Sequence, residues 1–68
     1  MKVKVTVYLK SGKDVSIEVI CESMKELKKD YTRIMNSNAI VTEAIDNSSV
    51  QIIPTDNVDC INFERVED

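Results

Sequence analysis

Few side chains in this protein can move protons, electrons or metal-bound ligands, and the shortage is informative. The 68 residues hold no histidine, two cysteines and one glycine. Without histidine there is no serine–histidine relay, no cysteine–histidine pair and no histidine-ligated zinc. One glycine excludes the phosphate-cradling loops of P-loop and dinucleotide-binding proteins. Cys21 and Cys60 stand at apolar phase in or near strand-like runs. They number enough for one bridge, but read as reduced, buried small hydrophobes. Asp46 and Asn47 flank one turn and Asp56 and Asp59 another. A calcium loop needs more oxygen ligands at fixed spacing and a glycine at its bend, so these are read as turn formers bonding their own backbone. Paired carboxylates would need a pocket that so small a domain has little room to build. The expectation is a chain that is not an enzyme, with no metal, no cofactor and no small-molecule substrate.

Charge is the other chemical resource. The net charge is −3, unevenly placed. Residues 1–33 carry eight cationic and five acidic side chains, a net of +3, and residues 34–68 carry one cation against seven acids, a net of −6. Lys2, Lys4, Lys25, Lys28, Lys29 and Arg33 form a candidate nucleic-acid surface if they lie together. Glu18, Glu22, Glu26 and Asp30 dilute it, and the pI near 4.8 is far from that of nucleic-acid-binding domains. The acidic half offers the opposite reading, an inhibitor or DNA mimic.

These groups must be positioned by elements that the patterning predicts. Residues 23–36 place Met24, Leu27, Tyr31, Ile34 and Met35 on one side of a 3.6-residue spiral. Ser23 with Glu26 three residues on is a capping box, and Asn36-Ser37-Asn38 stops the helix, since asparagine tolerates the left-handed conformation a C-terminus often needs. The helix turns Lys25, Lys28, Lys29 and Arg33 outward, a candidate basic surface. The rest of the chain has strand period. Lys2–Lys10 and Asp14–Cys21 alternate cleanly. A three-residue loop with left-handed Gly12 pairs Val3 with Val19, Val5 with Ile17 and Val7 with Val15, and sets Lys4 opposite Glu18. Ala39–Ile45 is a third strand, apolar on both faces through Ile40 and Val41. Val50–Ile53 is a fourth strand, stopped by Pro54. After a tight turn at Thr55–Val58, Asp59–Val66 is a fifth strand with Ile61 and Phe63 inward.

One α+β domain over residues 1–68 follows: an antiparallel five-stranded sheet of order 2-1-3-4-5, connected ββαβββ, with one helix packed on one face. The opening Val-Tyr-Leu-Lys-Ser-Gly-Lys-Asp-Val-Ser-Ile-Glu-Val, the capped helix and the closing Ile-Ile-Pro-Thr-Asp-Asn-Val-Asp-Cys-Ile-Asn-Phe-Glu resemble small uncharacterised proteins of Gram-positive phages and mobile elements. The likeness spans nearly the whole chain, but its motifs are structural. It implies a compact cytoplasmic accessory protein and carries over no functional residue. The opening residues alternate at once, with no apolar leader and no run long enough to span a bilayer, which also reads as cytoplasmic.

Function is expected in protein contact. Tyr8 and Ile20 lie on the outer face of the first hairpin, and Ile40 on a strand apolar on both sides; exposed apolar surface of this kind marks partner sites. So short a chain gains from a partner. The expected activity is binding protein, a second copy first and then, on the resemblance, a host protein; nucleic acid and membrane are not expected partners.

Overall fold

A computed structural model describes residues 1–43 and 48–67 of the chain. β1 (Lys2–Leu9) and β2 (Asp14–Ile20) form the expected hairpin. Gly12, at φ +92°, takes a conformation costly for any residue with a Cβ. It lets the Leu9 N–H donate to the Lys13 carbonyl at 2.8 Å and its own N–H donate to the Leu9 carbonyl at 2.9 Å. The register is the one the apolar alternation requires, with Val3 opposite Val19, Val5 opposite Ile17 and Val7 opposite Val15.

α1 (Met24–Met35) starts at Ser23, whose hydroxyl accepts from the Glu26 N–H at 3.1 Å. Its apolar stripe lies across the valines of β1. Met24, Leu27 and Tyr31 pack with Val3, Val5 and Phe63, while Ile34 and Met35 join Val7 in a second cluster. The Tyr31 and Phe63 rings meet edge to face, 5.3 Å between centroids. The end of the helix corrects the expectation. Asn36 stays right-handed at φ −86°. Ser37 makes a left-handed cap unnecessary, since its N–H and hydroxyl both donate to the Ile34 carbonyl.

β3 (Ala39–Glu43) and β4 (Val50–Pro54) pair antiparallel. A 3₁₀ turn over Thr55–Asn57 leads into β5 (Val58–Glu67). Ala44, Ile45 and the Asp46-Asn47 turn lie outside the described residues.

The domain is α+β with five antiparallel strands, but they make two sheets and not one. The first has the order β2-β1-β5, and β3-β4 stands as a separate two-stranded sheet. The expected order 2-1-3-4-5 placed β3 beside β1, and β5 holds that position. The reason lies in length and phase. β1 has one edge left after pairing with β2, and β5 matches it from Leu9 to Lys2, with Ile61 opposite Val7 and Phe63 opposite Val5 on the covered face. The five residues of β3 offer a shorter ladder and fewer apolar pairs. The hairpin instead packs its inner side, Ile40 and Ile53, on Val7 and Val58, completing the core beyond the end of the helix.

Candidate functional site

The two sheets leave two open faces, and they differ in finish. On the three-stranded sheet the open face carries Lys4 between Glu18 on β2 and Glu64 on β5. Beside it the Thr6 and Ser16 hydroxyls share a hydrogen bond of 3.1 Å, which leaves Thr6 buried among its neighbours. Tyr8 and Ile20 are on this face as expected, 40% and 87% exposed. They do not make one patch. Ile20 lies opposite Lys2, at the far end of β1 from Tyr8, about 20 Å away at the rise of a strand.

The β3–β4 hairpin is finished differently. Ile40, expected as a contact residue, is 2% exposed and belongs to the core, because its phase points it with Ile53 toward Val7. The opposite phase is bare. Val41 and Ile52 are direct cross-strand partners at 58% and 68% exposure, and Val50 follows on the same face at 57%. β3 is therefore apolar on both faces, as expected, and covered on the Ile40 face alone. Three branched aliphatic side chains form a contiguous exposed strip, while Glu43 opposite Val50 gives it a charged end. The base of the hairpin is pinned: the Thr55 N–H donates to the Asn38 carbonyl at 3.1 Å and the Thr55 hydroxyl to the Ser37 carbonyl at 2.8 Å. A turn after β4 thus grips the loop before β3 and holds the strip in a fixed direction. Only Val41 carried a hint in the sequence, through its alternation with Ile40; Val50 and Ile52 became visible once pairing set them beside it.

The charged groups do not gather. Lys25, Lys28, Lys29 and Arg33 share the solvent side of α1, with Arg33 bonded to Asp30 at 2.9 Å. Lys2 and Lys4 point away from the sheet face that α1 covers, so the six cations divide between opposite sides of the molecule. Among the described residues the second-half acids are also dispersed: Glu43 on the hairpin, Asp56 in the 3₁₀ turn, Asp59 at the start of β5 and Glu64 against Lys4. The six cations therefore do not form one surface; four of them, with Thr32 and Asn36, line a shallow concavity of about 560 Å³ on the outer side of α1, and the described acids share no single face.

The thiols are likewise apart. Cys21 donates its N–H to the Met1 carbonyl at one end of β1, and Cys60 lies opposite Tyr8 at the other. That is about 23 Å along the strand, beyond any disulfide. Cys60 is exposed, against the expectation of burial. Plain alternation from inward Ile61 and Phe63 turns Cys60 out, and the register shift between Tyr8 and Leu9, which skips Asp59, returns Val58 to the inward phase. Among the described residues no three metal-ligating side chains converge.

An apolar groove of about 200 Å³ lies between α1 and β5. Tyr31 and Met35 line its helix side, Ile61 and Phe63 its strand side, and Lys28 and Asp59 also border it. Burial pushes the Tyr31 phenol above its ordinary pKa, since the anion would lose water there. Among the described residues no helix is long and apolar enough to cross a membrane. No family model matches the chain, and no curated protein or solved structure matches it either.

Proposed function

We propose that this chain is a non-enzymatic protein-binding module that docks its partner on the outer face of the β3–β4 hairpin. The observation that carries the reading is the exposed strip of Val41, Ile52 and Val50 on a pinned hairpin. A domain of this size has few large aliphatic side chains, and the three-stranded sheet is polar across the middle of its own open face, where Lys4, Thr6, Ser16, Glu18 and Glu64 lie between the separated Tyr8 and Ile20. Covering the strip releases on the order of 3 kcal/mol of apolar transfer energy, the core of a modest interface. The backbone edges of β3 and β4, unpaired among the described residues, supply donors and acceptors at its rim.

Self-association is proposed beside this docking and does not require the strip, because a second copy is always present and a small core gains from it. The resemblance to phage and mobile-element proteins makes a host protein the natural further partner. The test compares immobilised wild type with Val41→Lys/Ile52→Lys in capture from cells that produce the protein. Retention of a stoichiometric protein by wild type, and its loss with the double variant at an unchanged melting temperature, is the expected result. Equal retention by both would overturn the reading.

A further inference from the structure

The sheet of β2, β1 and β5 has two edges, and they are not alike. β2 is seven residues long, and its outward-facing backbone belongs to Ser16, Glu18 and Ile20. β5 is ten residues long, has neither proline nor lysine, and pairs only with β1 among the described residues; register shifts at Asp59 and Val66 leave Cys60 to Arg65 as its regular stretch. Such a strand is a template for pairing unless something blunts it. Its parity follows from β1. Leu9 bonds toward β2 while the Lys10 N–H donates to Asn57, so the even residues of β1 face β5 and their partners Cys60, Asn62 and Glu64 face back. The N–H and C=O groups of Ile61 and Phe63 therefore point out from the free edge.

We propose that the free edge of β5 pairs antiparallel with β5 of a second copy, centred on Asn62, to give a continuous six-stranded sheet. The proposal rests on the self-association part of the function given above and names its surface. In this register Ile61 faces Phe63 of the second copy as a hydrogen-bonded pair, and the bulged Asp59 comes beside Arg65 at each end of the regular stretch. Sliding by one hydrogen-bonded step sets Asp59 against Glu67 in one direction or Phe63 in the other, and separates Ile61 from Phe63. The centred register is thus the one in which charge and apolar surface both match. Arg65 has an interaction within its own chain, and a guanidinium with five donors can serve a further carboxylate. Both helices then lie on one side of the joint sheet. The two β1 strands stand three strand spacings apart, about 14 Å, wider than the 8–10 Å of packed helices. The space between admits Ile61 and Phe63 of the second copy along the open side of the α1–β5 groove.

The test is sedimentation equilibrium on the full chain, with cysteine cross-linking to read the register. Asn62→Cys in a Cys60→Ser background sets two thiols across the dimer axis at a non-hydrogen-bonded position, Cα atoms about 4.5 Å apart and within disulfide range. Mild oxidation is expected to give one disulfide-linked dimer with an unchanged circular dichroism spectrum. Asp59→Arg is expected to weaken the dimer about tenfold by opposing like charges twice, and Asp59→Arg/Arg65→Asp to restore it. Val41→Lys/Ile52→Lys is expected to leave the dimer intact. A monomer at millimolar concentration overturns the proposal, as does a dimer that Asp59→Arg leaves unmoved and Asn62→Cys fails to link. A dimer lost only in the hairpin variant would overturn the β5 register yet leave the protein-binding reading standing.

Discussion

The open faces of the two sheets are built from the same backbone pattern and finished for different surroundings. Across the middle of β1 the exposed positions form a polar row: a lysine between two glutamates, then two hydroxyls bonded to each other. Across the middle of the hairpin the corresponding positions are Val41 and Ile52, with Val50 beside them. A face that meets only water gains nothing from paired branched aliphatics, and a face that meets another protein does. The proposed binding surface rests on this contrast.

The largest test of this contrast sets the two phases of one hairpin against each other. Ile40→Ala or Ile53→Ala empties core volume and is expected to cost about 2–5 kcal/mol in urea unfolding. Val41→Ala or Ile52→Ala removes only a cross-strand contact in water, for less than about 1 kcal/mol. Equal costs on both phases would mean that the outer strip is structural. On the other sheet, Ser16→Ala removes the hydroxyl partner of buried Thr6 and should cost about 1 kcal/mol by thermal unfolding. Smaller again is Lys4→Glu, which lines up three carboxylates; the loss should be about 0.5–1 kcal/mol at low salt and shrink as salt is added.

The finest test uses the covered face. The Tyr31 phenol is held above its ordinary pKa of 10.0 by burial, so the fold binds this proton more tightly than the unfolded chain does. Below pH 10 both states are protonated and nothing is lost; as pH rises past 10 the unfolded state ionises first and stability falls. Tyr31→Phe should flatten that alkaline decline in a pH series of urea midpoints, and a decline of unchanged slope would show that Tyr31 is not its source.

Much of the fold was legible in the chain because local rules decide it. Gly12 and the alternation on either side fix the first hairpin and its register, and Ser23 with the stripe from Met24 to Met35 fixes the helix. What the residues did not show was competition. β3 and β5 both suit the free edge of β1, and only the length of the β5 ladder decides between them. That choice detaches the hairpin, buries Ile40 and bares Val41. The extra residue at Asp59, which turns Val58 inward, is equally invisible to a period-two reading, whereas the outward phase of Cys60 already follows from inward Ile61 and Phe63. The charge asymmetry between halves was real in sequence and dissolved in space, since β5 brings Glu64 to Lys4.

The central claim is that the hairpin strip, and not the polar face, meets protein. Site-specific photo-cross-linking in the producing cell tests it most directly, with a benzophenone side chain at position 52 on the strip and at position 62 or 18 on the other sheet. A discrete adduct with another protein is expected from position 52, abolished by Val41→Lys, with no adduct from position 18 and only a self-adduct from position 62. A protein adduct from position 18, or none from position 52, would contradict the claim.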